Sequence, residues 1–208
     1  MFLTSDIHFV AKDIAAKLPQ SVGDLKTVFI NTAAEPDEDG INSDWFKLNH
    51  DGFVAAGFKP FDYTLTDKTP QQIAADLKDV DVFHINGGNM FYLLWKMRQS
   101  GFDKFITDKV NQGKVYIGSS SGSIVSGPDI SVMKVFKKKY YDEELKNDFT
   151  ALNLVNFEVY PHWGKDDFHE EYFSDRLKHA YQEEQNIILL PDKQYIEVVN
   201  DSYKIISV

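Results

Sequence analysis

The 208 residues are 43% hydrophobic and 14% aromatic, contain no cysteine, and carry 32 Asp and Glu against 22 Lys and Arg, a formal net charge of -10. That acidity repels phosphate-rich polymers and anionic lipid surfaces, so nucleic acid and membranes are not expected partners; the missing thiols exclude a disulfide framework, a cysteine nucleophile and a Cys-based zinc site. Residues 1–6 show no basic region leading into an apolar run, and no stretch of about 18 apolar residues occurs, so a cytoplasmic protein folding as one domain over 1–208 is expected.

In chain order, residues 11–18 have helical spacing, 27–30 are a short β-branched and aromatic run that reads as a buried strand, and 43–56 are helical again. A helix over 70–77 opens on Pro70; a strand over 80–85 follows, then helices over 90–99 and 102–111 and a strand over 114–117. This alternation predicts an α/β fold, a three-layer α/β/α sandwich with a mostly parallel sheet. Residues 129–150, with Lys137, Lys138 and Lys139 and then Asp142, Glu143 and Glu144, read as an exposed excursion. Beyond them the pattern predicts a strand over 154–160, an amphipathic helix over 166–184 and strands over 186–190, 195–199 and 203–208. The last two are joined by the turn residues Asn200, Asp201 and Ser202 into an antiparallel C-terminal hairpin.

In an open α/β sheet reactive groups collect beyond the carboxyl ends of the strands. After the strand at 114–117 comes Gly118-Ser119-Ser120-Ser121-Gly122, in which Ser120 alone has glycine two positions away on both sides. Absent side chains there allow the tight strand-to-helix turn of a nucleophile elbow, with the Ser121 amide placed to meet a developing oxyanion. Gly87-Gly88-Asn89, after the strand at 80–85, offers a second oxyanion donor at Gly88, or simply a turn with Asn89 as a helix N-cap. Of six histidines, His162 in Tyr160-Pro161-His162-Trp163 sits at a strand end beside a proline and a tryptophan that could shield it, and it is the best general base; His84, inside a strand, reads as a satisfied core residue. Asp192, after the strand at 186–190, is the carboxylate expected to orient it, with Asp166, Asp167 and Glu197 as substitutes. A metal site at His162, Asp166, Asp167 and His169 matches no specific ligand spacing. The serine-rich loop could instead cradle a phosphate or carboxylate in a non-catalytic binding protein.

Four segments in order carry a family likeness: Ile85-Asn86-Gly87-Gly88-Asn89-Met90-Phe91, Tyr116 through Gly122, Ala151-Leu152-Asn153-Leu154 leading to Pro161-His162, and Leu190-Pro191-Asp192. In these the chain resembles the peptidase E family of serine peptidases, the aspartyl dipeptidases and their cyanophycinase relatives. The resemblance implies a sheet like that of class I glutamine amidotransferases (flavodoxin-like), a nucleophile at Ser120, a base at His162, an acid at Asp192, short peptide substrates and no cofactor. The dipeptidases have Leu-Pro-Glu where this chain has Leu190-Pro191-Asp192, and a bulky residue and an alanine flanking the serine where it has Ser119 and Ser121. The arginine and Thr-Asn-Asp stretch of aspartyl-specific members is replaced by Asp129-Ile130-Ser131-Val132-Met133-Lys134-Val135, so strict selectivity for an N-terminal aspartate is not implied. Lys134, or Lys137 through Lys139, is left as a source of replacement positive charge. Another acyl hydrolase, an esterase or amidase, would use the same three residues.

Overall fold

The computed structural model describes residues 1–135, 141–200 and 202–208. Seven strands form the main sheet: β1 (Phe2–Thr4), β2 (Thr27–Ile30), β3 (Pro60–Tyr63), β4 (Val82–Ile85), β5 (Val115–Ser119), and the late pair Gln194–Val199 and Ser202–Ser207. Two further strands, β6 (Glu158–Pro161) and β7 (Ile187–Leu190), pair in parallel as a separate small sheet, which makes the late pair β8 and β9. Across the main sheet the order is β3-β2-β4-β5-β1-β8-β9. The first five run parallel; β8 is antiparallel to β1 and to β9, closing the chain in the expected hairpin. Its turn residue Asp201 lies outside the described residues.

Period-two alternation splits each strand between two cores. Val28, Ile30, Phe83, Ile85 and Tyr116 pack with α3 (Pro70–Asp76), α4 (Met90–Ser100) and α5 (Phe102–Asn111); Phe2, Phe29, Val82 and Ile117 face α1 (Ile7–Lys17) and α2 (Asp44–Ala55). Burial on both faces is why these strands read as unbroken apolar runs. Local signals set the helix ends. Thr69 Oγ1 accepts from the Gln72 amide while Gln72 Oε1 accepts from that of Thr69, with Pro70 at the first position of α3. Asn89 Oδ1 caps α4 by accepting from the Phe91 and Tyr92 amides.

Four features depart from the sequence reading. β1 and β3 lack a strand signal: β1 has only three residues, and β3 opens on Pro60 at the sheet edge. The described residues of 129–150 are not an exposed excursion, because Ile130, Val132, Met133, Tyr141, Leu145 and Phe149 are buried in the main core; Lys137 through Lys139 lie outside the described residues. The helix expected over 166–184 is a 3₁₀ turn, α7 (His169–Glu171), a π-helical turn at Tyr172–Arg176 and α8 (Leu177–Gln182). The wide turn carries the buried Tyr172 and Arg176. His84 is fully buried between Phe29 and Phe53, but neither ring nitrogen has a hydrogen-bond partner among the described residues, and burial followed by the nearby His50 pushes its pKa down to about 3. Among the described residues no helix is long and apolar enough to cross a membrane.

Candidate active site

β5 ends at Ser119 and α6 (Ser121–Ile124) begins at once, so Ser120 makes the whole turn, at φ 49° and ψ -110°. That conformation lies outside the regions open to a relaxed L-residue and persists only where the surroundings impose it. Glycine makes the imposition possible: a Cβ on Gly122 would stand 2.0 Å from Ile85 O. Tyr116 Oη donates to Gly122 O at 2.6 Å, tying the turn to the core. The neighbouring serines are buried and engaged: Ser119 Oγ donates to Ser5 O, Ser121 Oγ to Gly88 O, and Ser123 Oγ to Thr4 O and Gly118 O. Ser120 Oγ faces His162 instead.

His162 and Asp192 follow β6 and β7, the paired strands of the small sheet. His162 Nε2 lies 3.1 Å from Ser120 Oγ, its Nδ1 lies 2.8 Å from Asp192 Oδ1, and Lys165 Nζ lies 3.0 Å from Asp192 Oδ2. The shorter acid therefore reaches the ring. Burial alone would raise the Asp192 carboxyl; the hydrogen bond and charge of His162, then those of Lys165, outweigh it and hold the group below its usual range. The residue stacked on the His162 ring is Phe168, with centroids 4.8 Å apart, while Trp163 packs on Tyr172 and Phe173. The Nδ1–H tautomer donates to Asp192 and leaves Nε2 free to accept the Ser120 hydroxyl proton, an arrangement suited to acyl transfer.

Ser120, His162, Gly88 and Ser121 line a cavity of about 490 Å³ at the carboxyl ends of β1, β4 and β5, with Asp192 behind the His162 ring. Gly88, at φ 136°, presses against Ala33, where a Cβ would meet Ala33 O at 2.1 Å; its amide makes no hydrogen bond among the described residues. The Ser121 amide is one of the orphan donors at the head of α6. Asp6, Asp37, Asp167 and Glu171 line the cavity with Lys165 and Arg176. The sequence reading missed both cations. Lys134 is turned to Asp142, 2.5 Å away, and to the Phe149 ring, and is not in the cavity wall. Of the substitute acids, Asp167 lines the cavity, whereas Asp166 and Glu197 do not. Among the described residues no three His, Asp or Glu side chains gather as metal ligands, and the His169 ring rests on Phe173.

The model of peptidase family S51 matches residues 4–206. The chain belongs to peptidase family S51. It is 31% identical to the Listeria innocua peptidase Lin0382 over 166 residues, 78% of this chain and 76% of that one. A peptidase E from Shewanella sp. (strain ANA-3) is 38% identical over 90 residues, 42% of this chain and 35% of its own. A crystal structure of a protein assigned to peptidase E from Listeria monocytogenes EGD-e superposes with a TM-score of 0.85 at 23% identity, covering 100% of this chain and 97% of that one. The chain is thus a peptidase, with a mostly parallel sheet flanked by helices on both sides.

Proposed function

We propose that the protein is a serine-type exopeptidase of the dipeptidase kind, acting on short peptides through Ser120, His162 and Asp192. One observation carries this reading: the hydrogen-bonded line from Ser120 Oγ through both nitrogens of His162 to Asp192 Oδ1 beside a cavity. Ser120 Oγ attacks the scissile carbonyl carbon as its proton passes to His162 Nε2. The oxyanion of the tetrahedral intermediate lies toward the amides of Gly88 and Ser121. Collapse breaks the C–N bond as His162 returns the proton to the departing amine; a water molecule, deprotonated by His162, then attacks the acyl carbon, the C–Oγ bond breaks and His162 returns that proton to Ser120 Oγ. Asp192 holds the ring in the required tautomer and stabilises its cation.

The cavity supports a short substrate. Its volume, about 490 Å³, falls within the range of roughly 300–1,000 Å³ of small-molecule sites. Its wall carries both signs of charge, Lys165 paired with Asp192 and Arg176 with Glu171 on one side and Asp6 and Asp37 on the other, which suits a zwitterionic peptide. A fluorophosphonate probe tests the reading: intact-mass spectrometry with peptide mapping should find one adduct, on Ser120, absent from Ser120→Ala. An adduct on another serine, or continued peptide hydrolysis by the variant, would remove it.

A further inference from the structure

We infer that Ser5 is a positioning residue: its hydroxyl fixes the loops carrying His162 and Asp192 against the elbow carrying Ser120, an inference that rests on the proposed roles of those three residues. The reacting groups stand on two separate sheets, Ser120 on the main one and the other two on the small one. Any shift of one sheet against the other changes the distance between Ser120 Oγ and His162 Nε2.

Ser5 stands at that junction. It directly follows β1, whose Thr4 pairs with Ser119, and the Ser120 amide donates to Thr4 O at 3.0 Å. Its own side chain points the other way, into the small sheet. Ser5 Oγ accepts from the His162 amide at 2.7 Å and donates to Leu190 O at 2.6 Å, and Ser5 is 1% exposed. The Leu190 carbonyl also accepts from the Trp163 amide at 3.2 Å, so one oxygen gathers both loops. His162 sits at φ 62°, a conformation that a non-glycine residue keeps only when held, and the bond from Ser5 reaches its own amide. One hydroxyl thus spends its donor and an acceptor site on the two chain segments whose placement decides the hydrogen-bond line.

The test compares Ser5→Ala, Ser5→Thr and Ser100→Ala, the last removing a buried hydroxyl bonded to Lys96 O in α4. Saturable labelling by the fluorophosphonate separates the maximal rate from the half-saturating concentration, and amide hydrogen exchange is followed at His162. Misplacement on the ångström scale costs about 100-fold in such sites, so Ser5→Ala should lose about 10–100-fold in maximal labelling rate with half-saturation within about twofold. Ser5→Thr, which keeps the hydroxyl, should recover most of the rate, Ser100→Ala should match the wild type, and His162 exchange should rise in Ser5→Ala alone. Wild-type labelling by Ser5→Ala, unchanged His162 exchange, or a folded Ser5→Thr as slow as Ser5→Ala overturns the inference. If Ser5→Thr does not fold, the labelling and exchange of Ser5→Ala decide. A wild-type protein that takes no label at Ser120 overturns the triad itself, an outcome distinct from a labelled wild type with an unaffected Ser5→Ala.

Discussion

The elbow and the two loops opposite it meet across one hydrogen bond but are built by different means. The elbow is local. Ser120 is held by Gly118, Gly122 and Tyr116, all within four residues of it, and its carbonyl accepts from the amides of Ser123 and Ile124 at 2.8 and 3.0 Å. His162 and Asp192 are held from a distance, by each other across 30 residues and through Ser5 across 157 and 185. A local constraint survives wherever its short segment folds. A distant one exists only once both sheets are in place, so the base's position depends on more of the fold than the turn's own frame does.

Removing the base should have the largest effect. His162→Ala should lower kcat by about four to six orders of magnitude, as should Ser120→Ala, and the double variant should be no slower than either, because residues acting as a unit are strongly non-additive. Steady-state kinetics of the three variants check this; an additive loss would separate the two sides of the site into independent contributors. Asp192→Asn should follow, with kcat down by about three to four orders and substrate binding little changed, since the amide favours the wrong tautomer. Asp192→Glu should keep more activity than Asp192→Asn. It preserves the carboxylate, but its longer side chain must be accommodated between His162 Nδ1 and Lys165 Nζ, at 2.8 and 3.0 Å from the present acid. If Asp192→Asn and the wild type have the same kcat, the distant half of the comparison loses its acid.

The same division explains what could be read in the sequence. Glycines two positions either side of a serine, placed after an apolar run, mark the elbow within a few residues, though not its seat against Ile85 and Thr4. Strand-end placement likewise picked out His162 and Asp192 as candidates. Lys165 and Ser5 carried no such mark. Lys165 meets Asp192 only because β6 and β7 pair, and Ser5 follows a three-residue strand too short to show a period. A polar residue closing the run Phe2-Leu3-Thr4 was the one available hint of Ser5. Phe168 replaces Trp163 against the His162 ring because the 3₁₀ turn after Lys165 folds back over it, a direction that side-chain type alone does not specify. Residues 129–150 misled for a related reason. Their charged residues are contiguous and conspicuous, whereas the buried Tyr141, Leu145 and Phe149 find partners from α4 and from the rest of the core.

The smallest expected effect probes the small sheet without touching the site. Glu158 opens β6, the strand that ends just before His162, and is 3% exposed; its Oε1 accepts from the Asp129 amide at 3.1 Å and its Oε2 has no partner among the described residues. Burial raises the carboxyl to about 7, with the Asp129 amide opposing and the Asp129 charge assisting. A folded-state value above the ordinary 4.5 means that the native protein keeps a proton the unfolded chain has released. Stability therefore falls as pH rises from about 4.5 to 7, and the full cost persists above that window. At about 1.4 kcal/mol per pH unit the ceiling is near 3 kcal/mol, and relaxation around the ionised group brings the expectation to about 1–3 kcal/mol. Glu158→Gln cannot ionise and retains an oxygen for the Asp129 amide. It should match the wild type in denaturant melts near pH 4 and exceed it by that amount near pH 8, with probe labelling of Ser120 unchanged at both. Parallel stability curves for the two proteins would mean that Glu158 ionises without cost. A stabilised variant with altered labelling would mean that the far end of β6 also sets the position of His162, and the tether at Ser5 would then share that role with the strand itself.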